Sequence, residues 1–293
     1  ITTAEVGTLD SAEVQAMGTD IANMGAAAMA ALTSAQVAAM TTDQIAALGS
    51  EDTAALTSAA VVGLTSAQVA ALTTAAFAAL TTADLSALTS AAVAGITTAE
   101  VGTLDSAEVQ ALGTDIANMG AAAMAALTSD QMVSLTTAQI TAIATDDLQA
   151  LTTDNIIAMG SDQIRALTTQ QTYNLTTDQI NAIETGDLEV MRKEQIMAMT
   201  TAQFSHMVTT QLVALTTAQV TSLTTTQVAS LTTGEVAALN TSQVASLTTG
   251  QVQSLTVPQL TSLSNAQVSA LTTTQVGALT STQLYGLVTA AHH

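Results

Sequence analysis

Three groupings in the sequence could do chemistry. Ser205 and His206 stand side by side, and a serine, a histidine and an orienting acid are the nucleophile and base of many hydrolases. Nothing around them resembles the strained Gly-x-Ser-x-Gly turn that presents such a serine, so the pair reads as incidental. Glu51–Asp52 and Asp146–Asp147 offer paired carboxylates to a cation such as calcium. The spaced oxygen ligands of a calcium loop do not accompany them. They read instead as first-turn residues of helices, where the helix dipole favours anions. His292 and His293 could bind a metal, but read as a chain end or a truncated affinity tag. The sequence thus points to no catalytic residue, no cofactor-binding residue and no metal ligand, and to a protein that is not an enzyme.

Residues 143–207 hold all three basic residues, Arg165, Arg192 and Lys193, together with Tyr173, Phe204 and the run EVMRKEQIMAM. A binding site set into a scaffold is one reading. The simpler one is a solvated charged turn, with Arg192 and Lys193 beside Glu189 and Glu194. Against 23 acidic residues the net charge is −20, which repels phosphate backbones and excludes nucleic acid as a partner. Beyond residue 194 the only acid is Glu235, so the last hundred residues form a nearly uncharged Thr-, Ser- and Gln-rich surface suited to packing against copies of itself. There is no cysteine, hence no disulfide framework or thiolate site. The longest apolar stretch, GAAAMAAL at 25–32, is too short to span a membrane. An opening at Ile1 without methionine reads as a processed product or an excised fragment.

The elements that must carry these residues follow from an internal period. Counting by eight from Leu223 lands on Leu at 231, 239, 247, 255, 263, 271, 279 and 287. Counting backward lands on Leu, Met or Ile as far as Ile1, with two seven-residue units at 17–23 and 112–118. A longer repeat is superimposed: residues 1–34 return at 96–129 with one change, Met17 to Leu112.

Apolar residues at octad positions 1 and 6 would wind around a continuous helix rather than stay on one face. In a strand they would fall on opposite faces. Short helices resolve the pattern. In LTTTQV at 223–228, Thr224 is the N-cap and Gln227 the third helical residue, a Thr-x-x-Gln capping box, while Leu223 and Val228 are the ends of a hydrophobic staple. The same devices recur as Thr216/Gln219 with Leu215/Val220, and as Thr176/Gln179 with Leu175/Ile180. Asp10, Gly49, Asp105, Gly160, Asn240 and Ser264, all acceptable caps, replace threonine elsewhere. Pro258, the one proline, falls in a first turn, where its missing N–H costs little.

Helices this short are far below the ~12–15 residues that are marginal alone in water, so they must stack on neighbours. The expected fold is an all-α repeat solenoid, a superhelix of short capped helices, about one per eight-residue unit. The core is aliphatic at positions 1 and 6, for example Leu215, Val220, Leu223, Val228, Leu231 and Val236, with aromatics only 1% of the chain and no tryptophan. Met17, Met24, Met29, Met119, Met124, Met191, Met197, Met199 and Met207 read as core filler. Position 8 is nearly always small, Ala, Ser or Gly, letting neighbouring backbones approach. The sequence alone does not give the number of octads per turn.

The units LTTAQV at 215–220 and LTTDQINA at 175–182 resemble the Leu-Thr-Thr-x-Gln-Ile/Val arrays of large secreted surface proteins of Gram-negative bacteria. The resemblance spans the whole chain. It implies secretion and a structural or adhesive task at the cell surface, with surface attachment through parts outside this chain. The glycine-rich calcium repeats common in such proteins are missing here. LTTDNIIAMGS at 151–161 is also similar to the first helix of TAL-effector repeats. Their 34-residue period and base-reading pair are absent, and the charge is wrong for DNA.

The expectation is one continuous octad solenoid over 1–293, Ala-rich to 142, degenerate and charged over 143–207, regular and nearly uncharged over 208–293. Its expected role is an extracellular structural element, a filament, stalk or surface-layer component whose partner is itself, with no nucleic acid, no transmembrane segment and no cofactor. No distinctive polar cap is seen at either end of the array, which motivates end-to-end or lateral packing. The alternative is ice binding by the ordered threonines, or adhesive binding through them or through 143–207.

Overall fold

In most octads the residue at position 2, usually threonine, caps a helix of four to six residues that starts at position 3, and this pattern repeats along the described residues. The computed structural model describes residues 2–290, and among them no strand occurs. The unit from Leu223 is representative. Its helix, Thr225–Ser230, is capped by Thr224, whose Oγ1 accepts from the Gln227 N–H at 3.1 Å. The Thr224 N–H donates in return to Gln227 Oε1 at 2.8 Å. Leu223 and Val228, the staple pair, are buried, and the next unit begins at Leu231 with extended backbone. Pro258 sits in the first turn of the helix Val257–Thr261 behind the cap Thr256. The result is an all-α repeat architecture of many short helices, one per unit.

The chain divides into two compact units, residues 1–158 and 159–293. Within each, a helix packs on the helix three octads further on. Ser50–Ala55 lies against Thr74–Phe77 in the first unit, and Thr225–Ser230 against Thr249–Ser254 in the second. Side chains at positions 1 and 6 point inward, positions 3, 4 and 7 outward, and position 8 is half-buried between turns.

The two seven-residue units are where the helix type changes. Gly18–Asn23 and Gly113–Asn118 are 3-10 helices, entered through Gly18 and Gly113 at φ 54°. A 3-10 turn rises more per residue than an α turn, so a unit one residue short still spans the distance to the next corner. The left-handed glycine makes the sharper entry.

At two position-8 sites the turns approach so closely that a side chain would collide with backbone. A Cβ on Gly63 would lie 2.0 Å from the Ser34 carbonyl oxygen, and one on Gly95 2.1 Å from that of Ser66. Of the methionines, Met29, Met119, Met124, Met191, Met199 and Met207 are buried, and Met17 and Met24 half-buried. Met197 is a correction: it occupies position 7, the outward face, and is 48% exposed. Among the described residues no helix is long and apolar enough to cross a membrane.

Candidate functional site

The residues with the most organised chemistry are the glutamines at position 5. Each is buried, because the side chain that caps its own helix lies on the seam between turns. Its two ends do different work. In Gln227, Oε1 accepts from the Thr224 N–H, while Nε2 donates to the carbonyls of Ile196 at 2.9 Å and Met199 at 2.8 Å. Those acceptors close position 6 and open position 1 of corners one turn earlier. Gln219 does the same to Leu188 at 2.7 Å and Met191 at 2.9 Å. In the first unit Gln68 reaches Val37 and Met40, both at 2.8 Å. These bonds span 31 and 28 residues, while helices pack three octads apart, so one superhelical turn takes between three and four octads.

Where a heptad intervenes the bond shortens in sequence and not in space. Gln36 reaches Val6 and Leu9, 30 and 27 residues back, at 2.7 and 2.9 Å. The 3-10 corner thus holds the glutamine seam in register.

Of the sequence-derived capping residues, Thr176, Thr216 and Thr224 are N-caps, and Gln179, Gln219 and Gln227 stand third in their helices. The core residues Leu215, Val220, Leu223, Val228, Leu231 and Val236 are buried. What sequence reasoning missed was the second hand of the glutamine. A capping box takes glutamate as readily as glutamine. The preference for glutamine was the signal that a donor is needed too.

Positions where an acid replaces this glutamine show how the seam copes. Asp84 is buried, and its Oδ1 accepts from the Ser58 hydroxyl at 2.7 Å, 26 residues earlier. Asp187 accepts in the same way from Ser161, also 26 residues earlier. A serine at position 3 of the preceding turn supplies the missing proton. Asp147 has Ala121 at that distance. Burial, reinforced by the Asp146 charge, raises its carboxyl above the usual range.

Glu100 is the sharpest case. It is 1% exposed; its Oε2 accepts from the Thr97 N–H at 2.6 Å, and its Oε1 has no hydrogen-bond partner. Burial pushes the carboxyl up, against the lowering effect of the Thr97 hydrogen bonds. Glu5, the same residue in the first copy of the duplicated sequence, is exposed. There the Thr2 backbone N–H, followed by its hydroxyl, lowers the carboxyl. One sequence thus titrates in opposite directions according to whether a turn lies on it.

The three basic residues meet in one cleft of the second unit, about 440 Å³, lined by Arg165, Glu189, Arg192, Lys193, Glu194 and Thr216. Arg192 occupies a cap position. Its backbone N–H donates to Gln195 Oε1 at 2.8 Å, and its Nη2 to the Leu167 carbonyl at 2.8 Å, the same oxygen that Gln195 Nε2 reaches at 2.9 Å. It therefore reinforces the seam where the threonine cap is lost. Tyr173 is 55% exposed, and Phe204 is fully buried in the core.

Ser205 and His206 both turn to one acceptor, the Ala202 carbonyl, at 3.1 Å from Oγ and 2.8 Å from Nδ1. A carbonyl takes only a donor, so Nδ1 carries a proton and cannot accept one from Ser205. Glu51 and Asp52 fall in a first turn, with Asp52 Oδ2 accepting from the Gly49 N–H at 3.0 Å. Among the described residues no three His, Asp or Glu side chains converge as metal ligands. His292 and His293 lie outside the described residues.

Residues 214–219 read Ala-Leu-Thr-Thr-Ala-Gln, running from one corner to the bridging glutamine of the next helix. Residues 19–50, 45–82, 77–114, 140–177 and 180–217 match the ALTTAQ repeat. The chain belongs to the ALTTAQ repeat family. In structural terms the ALTTAQ hexapeptide supplies the small contact, the staple leucine, the cap, and the glutamine that holds successive turns together. Comparison of this ALTTAQ repeat chain with curated proteins gave no match.

Proposed function

We propose that this protein is an extracellular structural element, a filament, stalk or surface-layer component that associates with copies of itself. The observation that carries the reading is the generic seam. Turn after turn is joined by the same glutamine-to-carbonyl bonds and the same small-residue contact, with backbone carbonyls as acceptors. A joint of this kind places little demand on which turn it meets. The nearly uncharged surface beyond residue 194 supports close packing between copies, and the absence of cysteine accords with a bacterial secreted protein.

Electron microscopy of the purified protein over a concentration series, with circular dichroism on the same sample, tests the reading. Helical signal with uniform filaments is expected. Helical, strictly monomeric rods at all concentrations would remove self-association and leave a spacer. The charged cleft at Arg165, Arg192 and Lys193 favours a second reading, adhesive binding of a ligand by this region. That reading requires binding that Arg165→Ala and Lys193→Ala abolish without loss of helicity.

A further inference from the structure

Position 7 points outward, and along much of the chain it is alanine, as at Ala38, Ala46, Ala70, Ala229, Ala237 and Ala245. Between residues 133 and 213 large side chains take its place. Val133, Ile157, Tyr173 and Met197 stand there, each 48–61% exposed. Large apolar side chains gathered on an outer face mark surfaces that meet another molecule. These four form two pairs, Val133 with Ile157 and Tyr173 with Met197, the members of each three octads apart. In both pairs the two helices concerned pack directly on one another: Ser129–Ser134 on Thr153–Ala158, and Thr169–Asn174 on Lys193–Ala198.

The two faces carry opposite charge. In the first unit Asp130 lies three residues before Val133, and Asp154 three before Ile157, so acid and apolar side chain share one face of each helix. Both acids are exposed, and residues 1–158 contain no lysine, arginine or histidine to neutralise them. In the second unit Lys193 lies four residues before Met197 on the same helix face, and Arg165 lines the same cleft as Lys193. Among the described residues neither Arg165 nor Lys193 forms an ion pair, although Glu189 and Glu194 line that cleft too. Arg192 is already engaged by the Leu167 carbonyl. Two cations are thus left near an exposed tyrosine and methionine, and arginine, aromatic residues and methionine are enriched where proteins meet.

We propose that the face formed by Asp130, Val133, Asp154 and Ile157 docks sideways on the Tyr173 and Met197 face of a second copy, its two acids against Arg165 and Lys193. The inference rests on the self-association reading and adds which surfaces meet. Both faces are cut from the same repeat, and packed helices lie roughly 8–10 Å apart, so the two rows match in spacing. Charge selects the partner, because Arg165 and Lys193 are the cations left unpaired in a chain of net charge −20. That net charge opposes the approach of copies at long range. At physiological salt it is screened beyond about 8 Å, while the contact itself is not. The two faces differ and each copy carries both, so the contact is heterologous and passes from copy to copy.

Sedimentation velocity over a concentration series, at about 0.15 M salt, tests the pairing. Arg165→Glu/Lys193→Glu should raise the concentration for half assembly roughly tenfold or more, and Asp130→Lys/Asp154→Lys should do the same. An equimolar mixture of the two variants should assemble as the parent does, since each reversed face then meets its opposite. Tyr173→Ser/Met197→Ser should weaken assembly without any change of charge. All six positions are exposed, so the circular dichroism of each variant should match the parent's. The neutral pairs Arg165→Gln/Lys193→Gln and Asp130→Asn/Asp154→Asn should each weaken assembly by a smaller factor, a reading that stands even where a reversed chain loses helicity. Assembly indifferent to these changes, or reversals that mixing does not rescue, would overturn this pairing and leave self-association standing. A parent chain that stays monomeric at every concentration would overturn both.

Discussion

The Nε2 of Gln227 donates to the carbonyl of Ile196, thirty-one residues earlier in the chain and 2.9 Å away in space. One side chain thus closes its own helix and ties it to the turn below. Gln227→Ala should cost about 2–4 kcal/mol, because it strands two buried carbonyls as well as the cap. Thr224→Ala should cost about 1 kcal/mol, the usual worth of an N-cap. Exposed Thr225→Ala should do almost nothing. Denaturant melts and hydrogen exchange of the Met199 and Leu231 corners measure the three. Equal losses for Gln227 and Thr224 would mean that the inter-turn bonds contribute nothing.

Glu100 gives a pH dependence with a definite sign. Its folded carboxyl is raised above the ordinary 4.5 by burial, so the folded state binds the proton more tightly than the unfolded chain. The stability it contributes is full below that ordinary value and is lost as pH rises through the raised folded one. Glu100→Gln supplies a donor for the Val69 and Leu72 carbonyls that the register places opposite. Near neutrality it should stabilise by about 1–3 kcal/mol. The difference between variant and parent in urea midpoint should grow from pH 3 to pH 8. A difference flat with pH would mean that Glu100 titrates as it does unfolded.

Gly63→Ala and Gly95→Ala test the close approach of turns. Each Cβ would collide with a backbone oxygen, Ser34 or Ser66, so a loss of about 1–3 kcal/mol is expected as the turns are forced apart. Gly277→Ala, with nothing within 4 Å and a helical position, should instead gain about 0.5–1 kcal/mol. Thermal melts of the three variants decide it; a loss at all three would point to a cause other than contact between turns.

Ser58→Ala should cost about 1–3 kcal/mol by leaving Asp84 Oδ1 buried without its donor. Combining it with Asp84→Gln, which restores the usual seam residue, should recover most of that loss. A double variant as unstable as the single one would show that the Ser58–Asp84 bond is not a substitute for the glutamine bridge.

The octad by itself determined the helices, their caps, the corner leucines and the aliphatic core. Each of these is settled within eight residues: a hydroxyl and an amide three apart close a capping box, and two apolar residues five apart staple it. The two short units were visible as slips, though not as the 3-10 helices Gly18–Asn23 and Gly113–Asn118. Only the tertiary structure decided how turns meet. A turn takes between three and four octads, a number the eight-residue period does not encode. The acceptors of the glutamine bridge are main-chain carbonyls, which leave no mark in the residue types around them. For the same reason Glu5 and Glu100, identical in local sequence, differ in burial and in the direction of their titration: what separates them is the presence of a turn some thirty residues away.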